Sequence, residues 1–279
     1  MRCTVCETGA AAQYRTVDGI AYFRCKACAS LFADPTFEPA PYTGDYWRNE
    51  IGPARERCFG PAIMRVAETI AYCRLPIQAF IDIGAGTGWL LDALGTLLPE
   101  AVDRFHAVEL YPPPLPYRTS NANYVVGTLA DTGRTFDAGV CIEVIEHLAP
   151  STLRMLAAQL AAVSRQGALY LFNSGQPDFV EREDPNYLDP HGRGHIVSYS
   201  LSGAAAIFRP AGFNVIALPN RSWAFLAEFG TTQPVDGHAL IDRLWHPVPE
   251  NVSMLRAARF GELLRVAGID TARAYAQLG

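Results

Sequence analysis

Residues 79–91 read Ala79-Phe80-Ile81-Asp82-Ile83-Gly84-Ala85-Gly86-Thr87-Gly88-Trp89-Leu90-Leu91. The first five form a short apolar run of the kind that makes a buried strand. The last three, with Leu94, begin a helical pattern. Between them glycines alternate. A strand that turns on glycines and opens a helix carries backbone N–H groups close to a ligand, and a Cβ in the turn would block that approach. The register narrows the ligand. A dinucleotide fingerprint, G-x-G-x-x-G, needs glycine at position 89, where Trp89 stands. The spacing is G-x-G-x-G, with Asp82 two residues ahead.

Outward from this turn, residues 78–220 alternate strand-like and helix-like segments, which predicts a doubly wound α/β sheet. Strands are expected at 79–83, 106–110, 124–126, 136–142, 168–172 and 213–218, and helices at 151–164 and 201–211. On the N-terminal side, 42–75 reads as helical, broken at Pro61 and stopped before Pro76. The aperiodic stretch 178–200 holds Pro185, Pro190, Gly192 and Gly194, and a loop of that length reads as a lid or binding loop. Beyond Asn220 the pattern is helical, at 239–245, 252–260 and 271–278. No internal repeat or low-complexity segment is present.

The segment ahead of the core contains Cys3-x-x-Cys6 and Cys25-x-x-Cys28, with eighteen residues between the pairs. That is four-cysteine zinc spacing: each CxxC turn offers two thiolates, and two turns close a tetrahedral shell with no open position. Such a site stabilises a segment too small for its own core and does no chemistry. A thioredoxin-type redox pair is the alternative, but it requires one CxxC after a strand, and here two pairs match. Cys58, Cys73 and Cys141 sit in apolar or helical contexts and read as buried hydrophobes.

With the glycine turn in place, the chain resembles class I S-adenosylmethionine-dependent methyltransferases. Glu109 ends the second strand, where the family grips a ribose diol. Gly127-Thr128-Leu129-Ala130-Asp131 follows the third, at the family's adenine pocket. Phe136-Asp137 through Glu146-His147-Leu148 looks like the fourth-strand signature, and Pro210-Ala211-Gly212-Phe213 like the late αβ unit. The resemblance covers roughly 42–220. It implies that Asp82, Gly84, Gly86, Gly88, Glu109, Thr128, Leu129 and Ile142 bind the cofactor. Asp131 reads equally as a turn acid or an adenine contact.

The candidate catalytic residues are His147, Glu143 and His195. His147 reads as a general base for a hydroxyl acceptor or as a buttress of its loop. Glu143 faces the cofactor's amino-acid end or the acceptor. Either His195 or His191, from the long loop, reads as an acceptor contact or base; a metal shared by the two would need a helix that Pro190, Gly192 and Gly194 oppose. Tyr46 and Trp47 read as a cofactor cover or as linker packing, and Tyr199 as a pocket wall.

Bulk composition sets limits. The 279 residues are 49% apolar with a formal charge of −5, enough for one α/β core and an appendage, with no basic footprint for nucleic acid. No apolar run approaches the roughly 18 residues of a membrane span, and the first residues lack the apolar stretch of a signal peptide. A cytoplasmic protein acting on a small molecule, without nucleic-acid or membrane partners, is expected. Asn251-Val252-Ser253 matches a glycosylation sequon that such a protein would not use.

The expected architecture is a zinc ribbon (1–40), connector helices (41–76), a methyltransferase core (77–220) and a helical tail (221–279). A ribbon joined to this core resembles the sugar methyltransferase branch. O-methylation of a sugar, nucleotide-sugar or glycan intermediate is the favoured reading. O-methylation of a phenolic or quinone-like metabolite is the alternative. Sugar C-methylation fits less well, since the large second domain of that branch has no counterpart in the roughly 60 residues after Asn220. An NAD-dependent oxidoreductase and a non-catalytic adaptor are the readings from other classes.

Overall fold

The computed structural model describes residues 1–39, 44–231 and 233–265. Tyr42, the side chain of Tyr46 and the helix expected at 271–278 lie outside the described residues. In chain order the elements are β1 (Ala11–Val17), β2 (Ile20–Cys25), β3 (Leu31–Ala33), α1 (Gly44–Phe59), α2 (Pro61–Tyr72), β4 (Phe80–Ile83), α3 (Trp89–Leu97), β5 (Phe105–Glu109) and β6 (Tyr124–Val126). They continue as β7 (Phe136–Ile142), α4 (Pro150–Ala162), β8 (Ser164–Asn173), α5 (Pro177–Arg182), β9 (Val197–Ser198), α6 (Leu201–Phe208), β10 (Phe213–Ala217), β11 (Ala224–Phe229), α7 (Gly237–Trp245) and α8 (Pro249–Leu255).

Seven strands form the main sheet in the order β10-β11-β8-β7-β4-β5-β6. β4 to β8 are mutually parallel, and β11 runs antiparallel between β8 and β10. Side chains alternate across the sheet with the two-residue strand period. Ile81, Cys141, Tyr170 and Phe172 face the layer containing α4 and α6, while Phe80, Val140, Leu169 and Leu171 face α2 and α3. This is the doubly wound α/β fold. The chain runs outward from β4 through β5 to β6 and then crosses back to β7 on the other side of β4, and the crevice at that reversal, outside the carboxyl ends of the strands, is where such folds bind ligands.

Two expectations need amendment. The segment 221–279 does carry helices, α7 and α8, but it opens with β11, which is buried along its length and completes the sheet. Ala224-Phe-Leu-Ala-Glu-Phe229 is rich in helix-forming residues. Its central sheet position overrides that propensity. The stretch 178–200 is no open lid: Tyr187, Leu188, His195, Ile196, Val197 and Tyr199 are buried. Its β9 joins the N-terminal segment as the fourth strand of a small sheet, β1-β2-β3-β9, with Leu31 opposite Ser198 and Phe32 opposite Val197. Among the described residues no helix is long and apolar enough to cross a membrane.

Candidate functional site

The glycine turn sits at the end of β4. Gly84, Gly86 and Gly88 all have positive φ, +72°, +55° and +77°. A Cβ on Gly84 would meet Val144 at 2.6 Å, and one on Gly88 would meet Thr119 at 2.3 Å. Glycine is therefore imposed there by protein packing as well as by backbone conformation, not only by the approach of a ligand. The hydroxyl of Tyr124 donates to the Gly86 carbonyl at 2.6 Å and fixes the middle of the turn.

Glu109, at the end of β5, accepts the Gly86 N–H at 2.8 Å and the Tyr111 N–H at 2.7 Å, one on each carboxylate oxygen. Burial pushes its pKa up, and these N–H groups oppose the shift. Asp82 lies beside it, and burial followed by the charge of Glu109 raises Asp82 to about 7. Two carboxyl groups crowded into one buried corner constitute a site that a cationic, diol-bearing ligand would satisfy.

A cavity of about 660 Å³ runs along the carboxyl ends of the strands from this corner. Of the predicted cofactor residues, Asp82, Gly84, Gly86, Glu109, Thr128, Leu129 and Ile142 line it; Gly88 lies behind, at the start of α3. Trp47 lines it too, its ring 3.4 Å from where a Gly86 Cβ would stand. Asp131 resolves in favour of the turn: its carboxylate accepts both the N–H and the hydroxyl of Thr128, each at 2.7 Å, and caps the following turn.

Beyond Ile142 the chain turns through Glu143, which has a positive φ of 54°. Its carboxylate accepts from the Asn173 side chain at 2.6 Å, and it lines the cavity with His147. Nδ1 of His147 lies 3.1 Å from the Gly194 carbonyl. A carbonyl only accepts, so Nδ1 carries a proton, and in the neutral ring Nε2 then holds the lone pair. Nδ1 of His195 meets the Tyr187 carbonyl at 2.8 Å in the same way. The two imidazoles pack edge to face at 4.9 Å. Burial, with His147 beside it, holds the pKa of His195 down at about 3, so its ring is neutral. Of the three candidate catalytic residues, Glu143 and His147 reach the cavity and His195 stands behind them. Tyr199 is no pocket wall; it is buried, donating to the Leu148 carbonyl at 2.7 Å. His191 packs against Phe37, away from His195. Sequence reasoning gave no role to Arg57, which lines the cavity, to Asn173 or to Glu146. The strand-end position of Asn173, opposite Ile142 in the β7–β8 register, was the available signal for that residue.

In the N-terminal segment the four sulfurs of Cys3, Cys6, Cys25 and Cys28 all lie within 4.8 Å of one another. The Cys3–Cys28 and Cys6–Cys25 pairs are 3.9 and 3.6 Å apart. A tetrahedron with Zn–S bonds of ~2.3 Å has edges of ~3.8 Å, so the donor set fits one zinc ion. Backbone N–H groups of Val5 and Cys6 point at the Cys3 sulfur, and those of Ala27 and Cys28 at the Cys25 sulfur, as a thiolate pair requires.

A mostly parallel sheet, a glycine turn and a crevice with paired acids define a Rossmann-like protein that holds a nucleoside-type ligand across its switch point. The chain belongs to the methyltransferase family: the model of the methyltransferase domain matches residues 54–218. It is an S-adenosylmethionine-dependent enzyme of that kind. Among solved structures it is similar to a protein of Nostoc punctiforme provisionally assigned as an O-methyltransferase, at 16% identity and a TM-score of 0.51, covering 66% of this chain. The chain spans 60% of that protein's length. It is also similar to the sugar N-methyltransferase of a Streptoalloteichus species, at 15% identity and a TM-score of 0.50, covering 71% of this chain and 97% of that one. At these identities the likeness speaks for the fold alone. No curated protein matches the sequence.

Proposed function

We propose that the enzyme O-methylates a small sugar-type acceptor, a sugar, nucleotide sugar or glycan intermediate. The observation that carries this reading is the convergence on one cavity of Asp82 with Glu109 at one end and Glu143 with His147 at the other. When bound, S-adenosylmethionine supplies an activated methyl group, so alignment of the acceptor does much of the catalytic work. Asp82 and the turn 84–88 hold the cationic amino-acid end, Glu109 accepts both ribose hydroxyls, and Thr128, Leu129 and Ile142 border the adenine. Glu143 and His147 are the groups at the acceptor end able to take a hydroxyl proton. The fold relative from Streptoalloteichus acts on a sugar, which accords with a polar acceptor. Met155 and Leu156 on the cavity wall favour the second reading, a phenolic acceptor.

The four cysteines hold one zinc ion and make residues 1–40 a ribbon. Residues 41–76 are its connector, and the catalytic core starts at 77 and takes in β11.

Titration calorimetry with S-adenosylmethionine and with NAD is the first test, with binding expected for the former alone. Isotopic methyl transfer onto panels of nucleotide sugars and catechols follows. Methylation of catechols with no turnover of any sugar would replace the sugar reading by the phenolic one.

A further inference from the structure

Glu146 is fully buried, and neither of its carboxylate oxygens meets a donor in hydrogen-bonding geometry, although the Glu143 carboxyl and the Ser174 hydroxyl lie beside it. Such an arrangement is among the most costly in a folded protein, and an orphaned buried acid calls for a ligand. Around it stand two imidazoles. One ligand atom each from Glu146, His147 and His195 all lie within 4.8 Å of one another, and Nε2 of His195 is 3.9 Å from the Glu146 carboxylate. Both rings donate Nδ1–H to a backbone carbonyl, of Gly194 and of Tyr187, and in the neutral form each then has its lone pair on Nε2. Metal-ligating histidines are oriented by that same outer bond.

We propose that Glu146, His147 and His195 form a second metal site, distinct from the cysteine cluster, for a divalent first-row transition ion. Two imidazoles and a carboxylate suit manganese, iron, cobalt or zinc better than magnesium or calcium, which take oxygen donors almost exclusively. Ligand atoms around bonds of ~2.1 Å stand ~3.4 Å apart in a tetrahedron, so spacings of up to 4.8 Å close with shifts of at most ~0.8 Å per ligand atom. Three protein ligands leave positions open. Because His147 lines the cavity while Glu146 and His195 lie behind it, the open side faces the acceptor end.

This deepens the proposed function and rests on it for the identity of the acceptor. An ion placed there binds an acceptor hydroxyl and lowers its pKa. With His147 engaged by the ion, Glu143 is the remaining group at the cavity that takes the proton. A six-coordinate ion such as manganese, held by the three side chains, keeps adjacent positions open, and these select an acceptor with two neighbouring oxygens, a vicinal diol, which sugars and catechols share.

The test is a manganese(II) titration followed by electron paramagnetic resonance. It uses the full-length protein already given one equivalent of zinc, which the four thiolates hold in preference to manganese. About one manganese per chain should lose the signal of the free aqueous ion. Glu146→Gln and His147→Ala should each weaken this binding at least tenfold. His147→Ala changes a partly exposed side chain and so provides the arm least prone to misfolding. Calorimetry with S-adenosylmethionine on the same samples keeps the two claims apart. If the cofactor binds and manganese does not, the metal site falls and the methyl-transfer reading stands. If manganese binds and the cofactor does not, the reverse holds. Manganese binding unchanged in both variants would also overturn the site.

Discussion

Replacing Glu109 by glutamine tests the cofactor end most directly, because the change keeps the side chain's size and removes only charge and one acceptor. In the wild type the two carboxylate oxygens already accept the Gly86 and Tyr111 N–H groups at 2.8 and 2.7 Å, and each keeps a lone pair for a ribose hydroxyl. Glutamine presents an amide nitrogen on one side. There a ribose bond is lost outright, and the bond on the other side loses its charge assistance. Hydrogen bonds to a charged group contribute about 1.5–3 kcal/mol each, so the combined loss is about 3 kcal/mol, or roughly 10²-fold in affinity. The amide also faces a backbone N–H it cannot accept. The fold should lose about 1–2 kcal/mol, less whatever is regained by relieving Asp82 of a neighbouring charge. Calorimetry with S-adenosylmethionine reads the first quantity and denaturant unfolding the second. A cofactor analogue lacking both ribose hydroxyls closes the cycle: it should bind wild type and variant with nearly equal affinity. A cofactor affinity in Glu109→Gln within twofold of wild type, or an equal penalty for the analogue, would refute the assignment of Glu109 to the ribose.

Asp82, with its pKa raised to about 7 from an ordinary 3.8, makes cofactor binding pH-dependent. The empty fold holds a proton that the unfolded chain has lost, so this group favours folding at low pH and the contribution fades as pH rises through 7. A cationic ligand selects the carboxylate, so affinity should climb toward pH 7 and level off above it. At pH 6 about 0.9 proton should be released per ligand bound, measurable by calorimetry in buffers of different ionisation enthalpy; a flat profile from pH 5.5 to 8 removes Asp82 from the contact. Tyr22→Phe deletes the bond from the ribbon to the His195 carbonyl, 2.7 Å long and buried, and should cost about 1–3 kcal/mol of stability. It should lower turnover with cofactor affinity retained, and unchanged turnover would confine Tyr22 to a structural role. Asn251 is fully buried; it accepts the Ile77 N–H at 3.0 Å and donates to the Leu75 carbonyl at 2.9 Å, fixing the entry to β4. Asn251→Ala should lower stability by about 2–4 kcal/mol, and a loss under 0.5 would contradict that pinning role.

What the sequence disclosed and what it withheld follow from the range of the interactions involved. The glycine turn, Asp82 and Glu109 act through a strand end and the residues next to it, so residue type and register carry the information. β11 was hidden because Ala, Leu and Glu favour a helix wherever no neighbouring strand decides otherwise, and here β8 and β10 decide. Glu146 was legible only as the middle of an acid–acid–histidine run. Its burial and missing partners depend on His195, 49 residues later, which reaches it through a loop with no period for pattern reading to use. Asn251 reads as a modification sequon in one dimension and is a buried structural anchor in three.

That same loop changes the standing of the cysteine segment. A ribbon read from CxxC spacing alone is an appendage that holds itself together. In the structure its third strand pairs with β9, the Ala33 N–H donates to the Ile196 carbonyl, and the Ile196 N–H in turn donates to the Glu146 carbonyl. The hydroxyl of Tyr22 holds the carbonyl of His195, and Ser200 ties Ser30 and the Cys28 carbonyl to the start of α6. A few backbone and hydroxyl bonds thus separate the sulfur cluster from the residues behind the acceptor end of the cavity. The cofactor end, built on β4, β5 and β6, shares none of them. Removal of the zinc ion proposed for the cysteines should therefore act on the two ends unequally, loosening His195 and the loop of Glu146 and His147 while the Glu109 corner keeps its geometry. Phe37 and Pro39 of the same segment line the cavity as well, so the segment borders the site and forms the scaffold against which its acceptor end is held.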